Sequence, residues 1–255
     1  MSVLPFKLQE TPKIGDNEQI KGSEHLIAHF DQMATYHDHW REKNALYYQE
    51  QTKLLQKLIS PGQKILELGC ATGDTLAALD PHDGVGIDFS GQMLAKARLK
   101  YPHLRFLQQN AEKLDLDGET FDVIVLSDLV GELRDLWAAF RSLRDLCHPE
   151  TRIIITYYNF LWQPALEVAQ AVGLKRPQFI QNWFSLTDIS NLLRLNGFAT
   201  ITQGDKLLCP MKIPLVSSLM NRYLAGLPVV HNANLLQYIV ARPGPGFHIK
   251  PEPLS

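Results

Sequence analysis

Apolar and polar residues follow one another along this chain in blocks that predict alternating strands and helices. Five short runs rich in valine, isoleucine and leucine, each bounded by turn residues, are typical of buried strands. They lie near residues 64–69, 84–88, 104–108, 121–127 and 151–157. Strands that alternate with helical stretches form a doubly wound sheet, so we expect an α/β protein with a mostly parallel sheet and helices on both faces.

Helical spacing dominates the residues before the first strand. Between residues 23 and 59, Tyr47, Leu54 and Leu58 recur at the spacing of one helix face, and Pro61 ends the pattern. This segment predicts an N-terminal helical cover.

Two later helices can be predicted from their sequence. Ser185, with Asp188 three residues later, is a capping-box start, and Gly197 ends that helix. The other helix is predicted from a single apolar stripe, made of Leu133, Leu136, Trp137, Phe140, Leu143 and Cys147.

The C-terminal third predicts two more strands, at 198–202 and 235–241. Between them, residues 207–230 are apolar with scattered cations and prolines, which is a long connection for a compact domain. We expect an insertion packed on its own core, with a ligand site, a dimer surface or a membrane-surface contact as alternatives.

Residues 65–73, Ile-Leu-Glu-Leu-Gly-Cys-Ala-Thr-Gly, and residues 86–88, Gly-Ile-Asp, form the most informative pattern. They predict a strand, a tight glycine turn, a helix and a second strand that ends in an acid. In open α/β sheets a ligand lies beyond the carboxyl ends of the strands, and an acid about 20 residues after the turn holds the ribose hydroxyls. Asp88 occupies that place, so the pattern predicts a site for a ribose-bearing cofactor.

The spacing within the turn distinguishes between cofactors. Dinucleotide sites use three glycines, in the order G-x-G-x-x-G, to bring a pyrophosphate onto a helix N-terminus. This chain has Gly69 and Gly73 with three residues between them, and it lacks the third glycine. Glu67, two residues before Gly69, would repel a pyrophosphate and suits a ligand with a cationic portion.

The turn resembles the first motif of the class I S-adenosylmethionine-dependent methyltransferases, E-x-G-C-G-T-G. The motif is matched at Glu67, Gly69, Cys70, Thr72 and Gly73. Ala71 replaces the central glycine. The resemblance implies a Rossmann-like sheet of seven strands with one antiparallel strand, S-adenosylmethionine as the cofactor, and methyl transfer as the reaction.

Three further motifs follow in the order typical of that family. Residues 85–94 resemble the second motif, residues 109–114 the third and residues 121–129 the fourth. The resemblance implies a ribose contact for Asp88 and an adenine contact for Asn110. Together the four motifs imply that the cofactor is bound by Glu67, Gly69, Cys70, Ala71, Gly73, Asp88, Phe89, Met93, Asn110, Ala111, Glu112, Ser127 and Asp128.

In this fold the reacting methyl group is surrounded by the cover, the end of the fourth strand and the region after the fifth. In the cover, Arg41 and Tyr36 are candidates to bind the carboxylate of the cofactor, because a guanidinium binds a carboxylate through two hydrogen bonds. After the fifth strand, residues 156–162 form a polar aromatic cluster, in which Tyr158 and Asn159 are our candidates to orient or deprotonate the acceptor. The other polar and aromatic candidates of the cover are His25, His29, His37, His39, Trp40, Tyr47 and Tyr48.

The residues leave the acceptor, its methylated atom and the oligomeric state open. Methyl transfer from a sulfonium is an in-line displacement, for which the protein mainly has to hold the reactants in position. Residues 127–132 resemble a bacterial methyltransferase subgroup that is sometimes joined to glycosyltransferase regions, so we expect a small-molecule or a glycan- or lipid-linked acceptor. Two alternatives are a non-catalytic relative that binds the cofactor or serves as a scaffold and, with less support, a nicotinamide-dependent oxidoreductase.

Composition narrows the choice of partner and compartment. With 25 basic and 27 acidic residues, the net charge of −2 provides no general attraction for nucleic acid. The three cysteines lie far apart, in no metal-binding or disulfide pattern, as is typical of a reducing compartment. No run reaches the ~18 apolar residues of a membrane span, and the N-terminus has no apolar signal region, so we expect a cytoplasmic protein without a metal or a transmembrane segment.

We predict a single methyltransferase domain over residues 23–242, between a flexible arm at 1–22 and a tail at 243–255. Its predicted parts are the cover at 23–60, the cofactor-binding half at 61–160, and the acceptor side with the terminal strands at 161–242.

Overall fold

A seven-stranded sheet forms the centre of the protein. The computed structural model describes residues 27–175, 182–210 and 233–245. The strands are β1 Lys64–Leu68, β2 Asp83–Asp88, β3 Arg105–Gln108, β4 Phe121–Ser127, β5 Cys147–Tyr158, β6 Phe198–Lys206 and β7 Leu236–Pro243. The helices are α1 over residues 27–34, α2 His37–Lys43, α3 Ala45–Leu58, α4 Asp74–Ala78, α5 Gly91–Lys100, α6 Leu136–Ser142, α7 Gln163–Ala171 and α8 Leu186–Leu195.

The strand order is β3-β2-β1-β4-β5-β7-β6. Strands β1 to β5 run parallel, and β7 is antiparallel to both of its neighbours, β5 and β6. This confirms the predicted α/β fold with one antiparallel strand. The chain adds β2 and β3 on one side of β1 and then returns to add β4 on the other, so a crevice opens beyond the carboxyl ends of β1 and β4.

The side chains of the central strands alternate between two hydrophobic cores, one on each face of the sheet. Leu66 and Ile124 belong to the core that includes residues of α6 and α8. Ile65 and Val125 belong to the core that includes residues of α3, α4 and α5. Because these strands are buried on both faces, their sequences are nearly continuous apolar runs.

Within the described residues, the predicted helical cover consists of three helices, α1, α2 and α3. Helix α1 ends at residue 34, and α2 ends before Asn44, whose side-chain amide donates a hydrogen bond to the Trp40 carbonyl (3.0 Å). Because of these breaks, the three helices of the cover contact different segments of the protein. Asp31 in α1 accepts a hydrogen bond from the Ser90 hydroxyl, at the start of α5.

The helix predicted from the stripe at 133–147 is wrong in its length. Helix α6 covers only Leu136–Ser142, and Asp135 caps it by accepting a backbone hydrogen bond. Trp137, which we predicted on the apolar stripe, is 44% exposed. The apolar stripe is longer than the helix because neighbouring residues outside the helix are buried too. Leu133 lies in the preceding loop, Leu143 in the 3-10 turn that follows, and Cys147 at the first position of β5.

Other sequence predictions agree with the structure or lie outside it. Helix α8 begins with the predicted capping box of Ser185 and Asp188, and Gly197 follows it with a positive φ of 88°. The arm at 1–22, most of the stretch at 207–230 and most of the tail at 243–255 lie outside the described residues, so the domain limits stay predictions.

Among the helices that the structure describes, none combines the length and the apolar character needed to cross a membrane.

The glycine turn after β1 depends on close packing as well as on backbone conformation. Gly73 lies in this turn, and Gly62, which lies before β1, serves for comparison. Both have a positive φ, 79° and 73° respectively, which is unfavourable for residues other than glycine. A Cβ atom at Gly73 would lie 2.8 Å from Cζ of Phe106, whereas one at Gly62 would meet nothing within 4 Å. A substitution at Gly62 therefore adds backbone strain alone, whereas one at Gly73 adds both strain and crowding.

We expect Gly73→Ala to lower the free energy of unfolding by more than Gly62→Ala does. The left-handed backbone costs an alanine about 1 kcal/mol at either position, and overlap with Phe106 adds about 1–3 kcal/mol at position 73. Urea denaturation of both variants measures the difference. Crowding predicts that Gly73→Ala costs less in a Phe106→Leu background than in the wild type, which a double-mutant cycle measures. Equal losses for the two alanine variants would contradict the crowding.

Candidate functional site

A cavity lies beyond the carboxyl ends of β1 and β4, at the crevice where the strand order reverses. Its empty volume, including its open mouth, is about 750 Å³. The walls come from the turn after β1, the ends of β2 and β4, the end of β5 and the cover. Of the predicted site residues, those in the walls are Arg41, Glu67, Gly69, Cys70, Ala71, Asp88, Phe89, Met93, Ser127, Asp128 and Tyr158.

The turn after β1 brings the backbone to the floor of this cavity. Gly69 and Ala71 both have a positive φ, 69° and 47°. At Gly69 a side chain would also be crowded, because a Cβ atom would lie 2.8 Å from Leu129 Cδ1. Ala71 thus has a left-handed conformation, which usually favours glycine, and its N–H donates a hydrogen bond to Asp88 (2.9 Å).

Asp88, at the end of β2, presents a nearly buried carboxylate to the cavity. One oxygen accepts the Ala71 N–H and the other accepts the Ser90 N–H, both at 2.9 Å. These two bonds fix the orientation of the carboxylate. An ionised carboxylate has about four acceptor positions, so it can still accept hydroxyl groups from a ligand.

Glu67, in β1, is a second buried acid, with an exposure of 1%. It accepts the Leu76 N–H at 2.9 Å. Burial raises the pKa of Glu67 to about 8, and Arg41 and the Leu76 amide oppose this rise only in part. At neutral pH the side chain is therefore mostly protonated, and a cation placed beside it would favour its ionised form.

Arg41 extends from α2 across the cavity wall. Its Nη2 lies 3.4 Å from the Thr75 hydroxyl and its Nε lies 3.8 Å from Asp74. Burial opposes the ionisation of Asp74, but the hydrogen bond from Thr72 and the charge of Arg41 together hold the pKa of Asp74 below its usual value. The guanidinium is thus held at the helix N-terminus that follows the glycine turn.

Apolar residues form another part of the wall. The ring of Phe89 contacts that of Phe30 edge to face, with centroids 4.9 Å apart. Met93 is buried against Met33 and Ala34 of α1. These residues provide an apolar surface next to Asp88.

Cys70 lines the cavity but is not an activated thiol. Burial, and secondly the nearby carboxylate of Asp88, raise its pKa well above the usual value. The thiolate is the nucleophilic form, so Cys70 serves as a small apolar wall residue.

Tyr48 and Tyr158 line the cavity, and Tyr47 contacts the wall residues Asp128 and Tyr158. Tyr47 donates a hydrogen bond to Asp128 (2.6 Å), and its ring lies 5.0 Å from that of Tyr158. Burial and the charge of Asp128 raise the pKa of Tyr47 well above its usual value, so it keeps its proton. Tyr48 lies beside Tyr158 in the cavity wall.

Six predicted site residues lie outside the walls of this cavity. Asn159 is fully buried, donates to the Asn234 carbonyl (2.8 Å) and accepts the Leu161 N–H (3.1 Å). Asn110 accepts the Glu112 N–H at 2.9 Å, in a local turn. The other four are Tyr36, which is 46% exposed, Gly73, Ala111 and Glu112.

Several wall residues were not among the predicted cofactor ligands. His37 and Tyr48 belong only to the wider set of candidates from the cover. Asp74 and Thr75 follow directly on the glycine turn, and this position is the sequence signal for them. Gln51, in α3, donates to the Thr156 hydroxyl (3.0 Å), and nothing in its local sequence indicates that position. The remaining additional wall residues are Phe30, Leu129 and Glu132.

One group of side chains has the composition of a metal site. His37, Asp38 and Asp74 place one ligand atom each within 4.8 Å of one another. Lys100 lies 3.3 Å from Asp74 and also pairs with Asp38, and Arg41 lies 3.8 Å from Asp74. Because these cations already pair with both carboxylates, we interpret the group as an ion-pair network that joins α2, α4 and α5.

Comparison with curated proteins finds relatives named as methyltransferases. The demethylmenaquinone methyltransferase of Chlorobaculum tepidum is 35% identical over 89 residues, which are 34% of this chain and 37% of that protein. The ubiquinone/menaquinone biosynthesis C-methyltransferase UbiE of Vibrio parahaemolyticus is 31% identical over 118 residues, which are 42% of this chain and 44% of that protein. The chain thus spans less than half the length of these two relatives.

Comparison with solved structures shows the same fold. A S-adenosylmethionine-dependent methyltransferase from Thermotoga maritima, described as a possible histamine N-methyltransferase, superimposes with a TM-score of 0.66. The match covers 84% of this chain and 97% of that chain at 16% sequence identity. It confirms the Rossmann-like methyltransferase fold.

A family model described as a methyltransferase domain matches residues 37–203, well over half of the chain. This range runs from α2 to β6 and includes the glycine turn, Asp88 and the end of β4. The chain therefore belongs to the methyltransferase domain family, which confirms its resemblance to the class I S-adenosylmethionine-dependent methyltransferases.

Proposed function

We propose that this protein transfers a methyl group from S-adenosylmethionine to a small-molecule acceptor. The observation that carries the proposal is the pair of buried acids, Glu67 and Asp88, on either side of the glycine turn in a cavity at the switch point of the sheet. Membership of the methyltransferase domain family supports the same activity.

The charges in the cavity suit this cofactor. Five acidic side chains line it, of which Glu67 is mostly protonated until a cation lies beside it, whereas Arg41 is the one permanently charged cation among its described wall residues. An acidic cavity attracts a ligand that carries a sulfonium and an ammonium group. The wall carboxylates are Glu67, Asp74, Asp88, Asp128 and Glu132.

Each part of the cofactor has a proposed partner in the chain. Asp88 accepts the ribose hydroxyls, Glu67 neutralises the cationic portion and Arg41 binds the carboxylate. Phe89 and Met93 provide the apolar contact for the adenine. A pyrophosphate would instead meet the acids near the turn, which argues against the nicotinamide alternative.

When bound, the cofactor supplies an activated methyl group with a neutral leaving group. The acceptor's lone pair forms the new bond to the methyl carbon while the carbon–sulfur bond breaks and its electron pair stays on sulfur. The chain's contribution is to align the acceptor and exclude water, which supplies several kcal/mol in well-oriented reactions. We assign Tyr158 to orient the acceptor, and Asn159 to hold in place the turn that follows Tyr158.

The acceptor is the less defined part of the proposal. The two curated relatives are named for quinone substrates, which are small molecules. A glycan- or lipid-linked acceptor remains the alternative. All three cysteines are buried and none is joined to another by a disulfide, which supports a reducing compartment such as the cytoplasm.

Transfer of radiolabelled methyl groups from the cofactor into small-molecule extracts tests the activity. Labelled product would support catalysis, whereas cofactor binding without transfer to any extract would favour the non-catalytic alternative.

Asp88→Asn should weaken binding of S-adenosylhomocysteine about tenfold or more. Hydrogen bonds to a charged group contribute about 1.5–3 kcal/mol each, and 1.4 kcal/mol corresponds to a factor of ten. Isothermal titration calorimetry measures the change. Asp83→Asn, at the opposite end of β2, is the matched control and should leave the affinity unchanged; unchanged affinity in Asp88→Asn would refute the ribose contact.

Binding of S-adenosylmethionine should release a proton from Glu67 below pH 8. The pKa of Glu67 is about 8 without a ligand, and a cation beside the carboxylate lowers it, so the ligand prefers the ionised form. Affinity should therefore rise as the pH rises towards about 8 and then level off.

Calorimetry in buffers of different ionisation enthalpy counts the released proton. The ligand's own amino group also exchanges protons, and it does so with either protein. Because Glu67→Gln cannot titrate, subtracting the proton release of this variant from that of the wild type leaves the contribution of Glu67. Equal proton release by both proteins at neutral pH would show that Glu67 does not face the cation.

A further inference from the structure

Gln51 is a wall residue of the cofactor cavity to which the proposed function assigns no role. It lies in the middle of α3, and its exposure is 1%. Glutamine is mostly an exposed residue, because burying its amide costs free energy unless hydrogen bonds compensate. The hydrogen bonds of this amide therefore indicate what the side chain does.

The sheet fixes one end of the Gln51 amide. Its Nε2 donates a hydrogen bond to the hydroxyl of Thr156, a fully buried residue of β5 (3.0 Å). A glutamine amide has two N–H donors and a carbonyl acceptor. Thr156 takes one donor, so Oε1 and the second N–H are left for a ligand in the cavity.

The proposed cofactor contacts locate the methyl group of the cofactor. Asp88, at the end of β2, holds the ribose, and Arg41, beside the start of α4, holds the carboxylate. Sulfur is bonded to both of these parts and to the methyl group, which therefore points away from them. In the strand order β2-β1-β4-β5, the wall that remains is at the ends of β4 and β5.

Gln51 lies at this remaining wall. Its partner Thr156 is aligned in the sheet with Ser127, the last residue of β4, which also lines the cavity. Tyr48, one helical turn before Gln51, and Tyr158, at the end of β5, line the cavity as well. Gln51 therefore brings an amide to the side of the cavity towards which the methyl group points.

The carbonyl end of an amide suits a methyl group on a positively charged sulfur. Carbon–hydrogen groups are weak hydrogen-bond donors, and such bonds are stronger in a buried site than in water. In the product, S-adenosylhomocysteine, the methyl group is absent and the sulfur is uncharged. A carbonyl oxygen at this place therefore favours the donor over the product.

We propose that Gln51 is a specificity-determining residue, whose Oε1 contacts the methyl group of S-adenosylmethionine and so distinguishes the charged donor from the neutral product. Thr156 is the positioning residue that orients the amide before the ligand binds. Oε1 meets the methyl hydrogens from the side, which leaves the line opposite sulfur to the acceptor. This inference rests on the proposed function, because it places that cofactor in the cavity.

Isothermal titration calorimetry on the full chain, with S-adenosylmethionine and S-adenosylhomocysteine as the probes, tests the inference. The quantity compared is the Kd for S-adenosylhomocysteine divided by the Kd for S-adenosylmethionine. Gln51→Met keeps the unbranched stem and removes the amide. It should lower this ratio about fivefold, which corresponds to one weak hydrogen bond, by weakening S-adenosylmethionine binding and leaving S-adenosylhomocysteine binding unchanged.

Gln56→Met is the matched control. Gln56 lies on the same helix, is exposed, and donates to the Ala78 carbonyl (2.8 Å), so its substitution should leave the ratio unchanged. Thr156→Val keeps the shape of the side chain and removes the hydroxyl. It should lower the ratio by less than Gln51→Met does, because the amide is still present but is no longer oriented.

The outcomes separate this inference from the proposed function. If both ligands bind the wild type and Gln51→Met leaves the ratio unchanged or raises it, the role of Gln51 is overturned and the proposed function stands. Retained S-adenosylhomocysteine affinity shows that a variant is folded, and Gln51→Leu repeats the test if Gln51→Met loses it. If neither ligand binds the folded wild type, the proposed function itself fails.

Discussion

The carboxylate of Asp88 joins the segments on which the site depends. Its oxygens accept the Ala71 N–H from the glycine turn and the Ser90 N–H from the start of α5. Ser90 in turn accepts the Met93 N–H and donates to Asp31 of the cover. A nearly buried charge is costly unless several donors satisfy it, so these bonds hold the turn, β2, α5 and α1 in one arrangement around a common acceptor that faces the cavity.

The part of the site that could be predicted from sequence is the part that local chemistry determines. Glu67, the glycine turn and Asp88 belong to one strand–turn–helix–strand unit. Its strands can be predicted from their apolar runs and its turn from the glycines. Ala71 is an example, because it has the left-handed backbone conformation that usually favours glycine, the residue that the motif has at this position.

The parts that could not be predicted are those set by packing between distant segments. Arg41 meets Thr75, and His37 meets Thr72, only because α2 crosses the start of α4. Asn159 follows a strand, and this position suggested a ligand contact, but the residue lies outside the walls of the cavity. Its amide accepts the N–H of Leu161, two residues on, and donates to the carbonyl of Asn234, which a distant segment brings there.

Strained backbone and unfavourable burial both occur in the walls of the cavity. Ala71 and Asp128 have positive φ angles of 47° and 56° without being glycine, which is costly for both. Glu67 is buried so deeply that its pKa rises to about 8. Such features persist when the surrounding structure enforces them, and they are typical of sites organised in advance for a ligand.

The charges of the cofactor cavity provide a physical reason for the position of the donor. A cationic donor is favoured where acidic side chains line the wall. Tyr48 and Tyr158 add uncharged rings to the same wall. Because the cofactor carries its own activated methyl group and a neutral leaving group, alignment of the reactants is the main requirement that the protein has to meet.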